Sequence, residues 1–560
     1  MRVPRPAAPL LCLLIGCAPI LPDFGEPPVI GGGSVTPPSL PDCPEGTGAS
    51  VGTTTGCVLG QEASGIESFL GIPYAEPPVG NLRFLPPQPV QSSADYIDGR
   101  AFGSPCVQTL DSQDGALHDA EGDEDCLTLN VWRPEDREGL PILFFVHGGQ
   151  HLNGAGSVDD VALAPTLARG AVVVTHNARL GPFGYLAHPS LSGWSKTGAS
   201  GNQGIQDTRL ALKWVHDNAE ALGGDPDRIL LFGQEAGGLT VCALLLDPES
   251  AGLYSAALLE SASCGLLDRP LRTTREGEGG RATGETYGEY LAFITGCTAG
   301  GDTGDADPIA CLQSLSAARI QSALPARPAW LSQEGAAWEP VIDGVIIPDQ
   351  PRVLFGNGDF NRVPVIAGVN AADGLRYSAA FTTSDDLDAF TDELRDLLEP
   401  YHLKADAVDG LVGQYNPSFY GSAQGAFQAF YTDGVFSCGT RRFLDAIAPW
   451  TQAYAYRFEQ TPSYDDLDGA YAGAELPFVF GTQTERFNAE EQALSEAMQG
   501  AWTWAVEEEP TVPGLGAWPA VETGQWVVFH GDDAITAEPP RAETCGAWEA
   551  AGWQIYGDGG

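Results

Sequence analysis

The chain predicts an α/β fold built on a mostly parallel sheet, and three observations lead there. Short β-branched runs recur along the sequence, helical apolar stripes separate them, and the composition supplies enough apolar mass to cover a sheet on both faces. Hydrophobic residues make up 43% of the 560 positions and charged residues 18%, with 12 Trp, 23 Phe and 16 Tyr. Such a chain buries a large core, whereas an acidic disordered chain lacks the hydropathy to do so.

The predicted strands run from Ile142 to Val146, Ala171 to Thr175, Ile229 to Phe232, Val363 to Val369, Tyr454 to Phe458 and Trp526 to Phe529. Between the second and third, Asp207 to Leu222 places Ala211, Val215, Ala219 and Leu222 on one stripe at helical spacing. Parallel strands need crossovers, and this stretch is long enough to be one. In such sheets chemistry sits in loops at the carboxyl ends of strands, which directs attention to HGGQ (147–150), FGQEAGG (232–238) and GVNAADG (368–374). The Gly-rich run Glu276 to Gly284 reads as a surface loop, and no internal repeat is apparent.

The termini and the charge narrow the class further. MRVPRPAAPLLCLLIGC carries two arginines and an apolar run, and ends at Cys17, a pattern similar to a bacterial lipoprotein signal acylated on that Cys. Residues 18–42 are Pro- and Gly-rich without apolar periodicity and read as a tether; the folded domain is expected over 43–553, with a short tail at 554–560. The protein is therefore expected to be exported, either lipid-anchored to a bacterial membrane or secreted. No later run of about 18 apolar residues would span a bilayer. The 74 Asp+Glu against 28 Lys+Arg give a net charge of −46, which excludes a nucleic-acid backbone as partner and reads as a solvated acidic coat. Beyond Cys12 and Cys17, ten cysteines remain, and export permits disulfides. No CxxC, HExxH or similar spacing occurs, so neither a metal nor a cofactor is expected.

Five long segments carry a resemblance: FLGIPYAEPPVGNLRF (Phe69 to Phe84), EDCLTLNVWRP (Glu124 to Pro134), VHGGQHLNGAGS (Val146 to Ser157), NARLGPFGYL (Asn177 to Leu186) and GNQGIQDTRLALKWVHDNAEALGGDPDRILLFG (Gly201 to Gly233). With ELPFVFG (Glu475 to Gly481), they make the chain similar to the type B carboxylesterases, the cholinesterase-like branch of the α/β-hydrolase fold, over about Cys57 to Trp548. The short match Gly48-Ala49-Ser50-Val51-Gly52 to GxSxG has no strand before it and no helix after it, and is read as chance. The resemblance implies disulfides Cys106 with Cys126, Cys297 with Cys311 and Cys438 with Cys545. Cys43 with Cys57 is a plausible local extra, and Cys242 and Cys264 are left as buried thiols. It also implies two structural ion pairs, Arg83 with Glu124 and Arg179 with Asp207.

Ester hydrolysis on this fold needs a hydroxyl on a strained strand-to-helix turn, a His to take its proton, an acid to orient the His, and amides to hold the oxyanion. The turn is Gly233-Gln234-Glu235-Ala236-Gly237, and where the family has its Ser stands Glu235. Asp373 fills the acid position in place of Glu, and the position of the His is Ala472. The implied oxyanion amides are those of Gly149, Gln150 and Ala236. A carboxylate nucleophile would still need a His-activated water to release its ester, and Ala472 cannot supply one. Of the eight histidines only His147 and His151 flank this loop. His147 is expected to be structural; His151, in place of the usual Phe, could reach toward Glu235 but is read as a buried His with a backbone partner rather than a base. Glu235 is expected instead to fold into the oxyanion amides, at a helix amino-terminus that favours an anion. The leading expectation is a non-catalytic surface protein that binds a protein or small molecule, like the triad-less neuroligins. The alternatives are an ester hydrolase of altered or weak chemistry and a pocket for ester-like or cationic ligands.

Overall fold

The stretch Leu140–Val146 shows why these residues form a buried sheet. Ile142, Phe144 and Val146 pack into one apolar core and Leu143 and Phe145 into another, so successive side chains face opposite sides, and both sides are dry. Val172–His176, Gly224–Gln234 and Ala256–Glu260 divide their apolar residues between the two cores in the same way. In this computed structural model the described residues are 43, 48–93, 95–108, 121–135, 137–157, 167–272, 283–298, 307–323, 338–378, 386–398, 403–539 and 541–552.

Among them the main sheet has eleven strands. Their order across it is Asp533–Ala537, Trp526–His530, Ala453–Phe458, Val365–Asn370, Ala256–Glu260, Gly224–Gln234, Leu140–Val146, Val172–His176, Thr128–Pro134, Ile66–Pro73 and Gln61–Ala63. Neighbours from Trp526–His530 through Val172–His176 are parallel, and the outer strands pair antiparallel. All six expected strands lie in the parallel part. No helix among the described residues is long and apolar enough to cross a membrane.

Three boundaries differ from the sequence reading. The crossover helix is Gln203–Asp217, not Asp207 to Leu222. It stops because the Asn218 side chain turns back to the Trp214 carbonyl and also bonds Thr54. Ala219 and Leu222 remain buried past its end, which is why the stripe continues. Ser50 of the chance GxSxG match sits on a strand, Ser50–Thr53, paired antiparallel with Gly56–Leu59. Gly284 opens a helix, Gly284–Thr295, while most of the Gly-rich run before it lies outside the described residues, as do Cys17 and the whole 18–42 tether.

Five disulfides tie the domain: Cys43–Cys57, Cys106–Cys126, Cys297–Cys311, Cys438–Cys545 and Cys242–Cys264. The fifth corrects the sequence reading, which left Cys242 and Cys264 as thiols. Only the folded chain places the helix Ala236–Leu246 beside the turn after Ala256–Glu260, and their Cα atoms come within 5.5 Å. Both ion pairs form. Arg179 meets Asp207 through two bonds of 2.8 and 2.7 Å, almost without exposure, and Arg83 meets Glu124 while also capping the carbonyls of Gln313 and Leu315.

Candidate functional site

The strand Gly224–Gln234 ends in a turn that only two glycines permit. A Cβ at Gly233 would come within 2.5 Å of the Gly237 backbone, and one at Gly237 within 2.0 Å of the Val146 carbonyl. Between them Glu235 adopts φ 54°, ψ −113°, a conformation that costs a non-glycine residue about 1–3 kcal/mol and persists only where surrounding packing enforces it. Here the packing is tight: the Glu235 amide donates to the Glu260 carbonyl at 2.8 Å and the helix Ala236–Leu246 begins at the next residue. The turn therefore lifts the Glu235 side chain toward the loop that follows Leu140–Val146.

That loop is strained in a complementary way. Gly149, Gln150 and His151 all have positive φ, at 99°, 57° and 58°. Three consecutive left-handed residues turn successive amides the same way, forming an anion-binding concavity. The Gly149 amide donates to Glu235 Oε2 at 2.8 Å and the Gln150 amide to the same oxygen at 3.4 Å. The Ala236 amide does not join them among the described contacts. The other carboxylate oxygen, Oε1, accepts from the Tyr377 hydroxyl. Glu235 is 5% exposed, so these three donors replace nearly all of its hydration.

Tyr377 was not foreseen from the sequence. It lies four residues after Asp373, on the short helix Leu375–Ser378, and its ring stacks on Tyr431 at 5.2 Å. Burial, and then the neighbouring Glu235 charge, push its phenol well above the ordinary range, so it acts as a donor. Its spacing from Asp373 was readable; its hydroxyl's target was not, because that depends on how two strand ends meet.

Asp373 is fully buried at the carboxyl end of Val365–Asn370, accepting from Ser261 Oγ at 2.8 Å and the Asn370 amide at 2.9 Å. Burial foremost, then the Glu475 and Glu235 charges, raises its carboxyl well above the usual carboxylate range. Glu475 and Glu260 lie buried nearby and are raised as well, chiefly by burial. Asn370 Nδ2 bonds Glu475, and Trp502 Nε1 donates to Glu260 at 2.8 Å. Ala472 is buried just before Gly473 and carries no titratable group. The Gln234 carboxamide, next to Glu235, turns its oxygen toward Gly148 and its nitrogen toward Gly473.

Among the described residues no histidine bonds Glu235. His151 is buried against Tyr185, with Nε2 3.2 Å from Thr240 Oγ1, a full turn into the helix after Glu235. Burial, with a smaller contribution from His147, holds its pKa down to about 3. The expected buried His with a backbone partner is what the fold holds: besides Thr240, its ring bonds the Ala236 backbone, and no described contact reaches Glu235. The His147 ring bonds its neighbour's carbonyl through Nδ1 at 2.8 Å. Among the described residues no group of His, Cys, Asp and Glu has the arrangement of a metal site.

This geometry is matched by likeness over nearly the whole chain. The model of the Carboxylesterase family matches residues 47–548. Fumonisin B1 esterase of Sphingopyxis macrogoltabida is 32% identical over 504 residues, covering 87% of each chain. Para-nitrobenzyl esterase of Bacillus subtilis (strain 168) is 30% identical over 502 residues, covering 87% of this chain and 96% of that one. A solved structure of PNB esterase superposes with a TM-score of 0.71 at 28% identity, covering 89% of this chain and 99% of the other. By family model, relatives and superposed structure alike, the chain belongs to the carboxylesterase family, with its α/β-hydrolase fold.

Proposed function

We propose that this chain is a family member that no longer hydrolyses esters and acts by binding, with Glu235 as a built-in anion in the place where an ester's oxyanion would form. The observation that carries the reading is the pair of bonds from the Gly149 and Gln150 amides to Glu235 Oε2. Amides aimed at developing negative charge are the largest catalytic contribution in acyl transfer. Here they are already satisfied by the protein, and the one described histidine at the turn, His151, is committed to the Ala236 backbone and to Thr240. Without nucleophile and base, turnover on such a fold falls by about 10⁶, and the residue of about 10³ over water comes from amides that this carboxylate occupies. Ala472 and Asp373 are read as the vacated base position and the remaining acid.

The chain acts outside the cytoplasm in this proposal, held by a lipid on Cys17 and the 18–42 tether, with the 43–553 domain as the binding body. Five disulfides support an oxidising compartment. The competing reading, ester hydrolysis by altered chemistry, draws on relatives that are named as esterases. It requires a base within about 3 Å of the attacking group, a role that His151, bonded to Thr240, does not fill. The test offers the purified protein nitrophenyl esters and a fluorophosphonate probe beside a Glu235→Ala variant. Absence of turnover in both proteins is expected; turnover that disappears with Glu235→Ala would overturn the proposal.

A further inference from the structure

A cavity of about 310 Å³ lies apart from Glu235, between the end of Val365–Asn370, the helix Ala423–Tyr431 and the π-helical turn Thr432–Ser437 that follows it. Its size is that of a small-molecule pocket. Single π-helical turns inside α-helices are uncommon and recur at functional sites. Here Asp433 and Ser437 of this turn, both buried from bulk solvent, line the same space.

The charges around the space are unusual for so acidic a protein. Arg541 and Arg457 both line it, and the one carboxylate among the lining residues is Asp433. Arg541 spends Nε and Nη2 on Asp433 and on the Tyr420 hydroxyl, which leaves Nη1 without a partner among the described residues. Arg457 meets Glu459 through Nη1 at 2.9 Å, leaving Nε and Nη2 unused. Asp433 offsets Arg541 and Glu459 offsets Arg457, so the space is close to neutral and what it offers an anion is the unused guanidinium edges. Arg541 also stands at the amino-terminal cap position of the helix Ala542–Ala551, where the helix dipole favours an anion.

Further donors stand ready. Ser437 is buried, lines the cavity and makes no hydrogen bond through its hydroxyl among the described residues, and the Gln428 carboxamide is likewise unpaired. Arg541 holds φ 58°, a left-handed conformation uncommon outside glycine, asparagine and aspartate, so the backbone is strained where it presents this guanidinium. Hydroxyl, carboxamide and two free guanidinium edges suit a planar anion with a polar body. They suit a dianion less, because each guanidinium already shares its charge with a carboxylate.

We propose that this cavity is a binding site for a small polar monocarboxylate of the hydroxy-acid or sugar-acid class, gripped by Arg457 and Arg541 with Ser437 and Gln428 on its body. Calorimetric titration of the full chain with gluconate, benzoate and inorganic phosphate tests it, alongside Arg457→Gln and Ser437→Ala. Gluconate is expected to bind with one site per chain, more tightly than benzoate or phosphate. Arg457→Gln should weaken it about 10- to 100-fold, the worth of a lost charge-assisted contact, while leaving the thermal melt unchanged. Arg541→Gln alone would strand the buried Asp433 charge and threaten folding, so Asp433→Asn with Arg541→Gln is the second variant, and it too should lose gluconate. The proposal fails if gluconate gives no saturable heat, if folded Arg457→Gln binds it as the parent does, or if phosphate binds more tightly.

Discussion

Replacing Glu235 by Ser and Ala472 by His, separately and together, bears most directly on the functional proposal. The Glu235 side chain ends two bonds beyond where a Ser Oγ would sit, so Glu235→Ser withdraws the anion from the Gly149 and Gln150 amides and from Tyr377. In the proposed reading those amides are then free for an ester's oxyanion, but the new hydroxyl still lacks a base. Ala472→His supplies an imidazole beside Gly473, near the buried Asp373. That carboxyl is held high by burial, then by Glu475, with a smaller push from Glu235. Removing Glu235 takes that smaller push away, and an imidazolium at 472 lowers Asp373 further, toward the ionised form that can orient it. General-base assistance is worth about 10² to 10⁴, so the double variant should hydrolyse nitrophenyl acetate faster than Glu235→Ser by at least about 10². Adding Asp373→Ala to the double variant should remove most of that gain. Equal rates for Glu235→Ser and the double variant, both well above background, would refute the account in which the missing base is what silences this site.

Three further outcomes follow from the packing. His151 and His176 are buried neutral with pKa values held down to about 3, so the unfolded chain binds protons on them that the folded chain does not. Their stabilising contribution is complete above the ordinary histidine value of about 6.5 and is lost as pH falls toward about 3, by about 1.4 kcal/mol per pH unit for each. Denaturant titrations across that window should show a shallower decline in His176→Gln than in the parent. Replacing Cys242 and Cys264 together by Ala reopens a loop with a sequence separation of 22 and should cost about 3 kcal/mol, against about 5 for the 107-residue span of Cys438–Cys545; an unchanged melt in the first variant would contradict the buried bond. Asp207→Asn strands the Arg179 guanidinium in the interior and should cost about 3–5 kcal/mol in chemical denaturation, and a cost below 1 kcal/mol would mean that water reaches the pair.

Much of this protein was legible in one dimension because its signals are local. The parallel strands announce themselves as apolar runs such as Ile142 to Val146, since a strand buried on both faces needs no alternation. The turn at 233–237 is written in its two glycines, because a Cβ at either would strike backbone within the same motif or the adjoining strand. The presence of Glu235 at its apex, and of Ala rather than His at 472, is equally a matter of reading residues against a family pattern.

What the tertiary structure decided is where side chains from distant segments meet. The disulfide Cys242–Cys264 joins a helix to a neighbouring strand's turn, and neither the spacing of the two residues nor their burial distinguishes a bond from two thiols. Tyr377 reaches Glu235 across 142 positions of sequence, and His151 turns to Thr240 instead, through the handedness of three backbone torsions that composition does not encode. The carboxylate's fate has the same origin. Sequence determines that an acid stands at the apex of the turn; only the approach of the Gly149 and Gln150 amides, set by how Leu140–Val146 pairs with Gly224–Gln234, seats its carboxylate in their concavity.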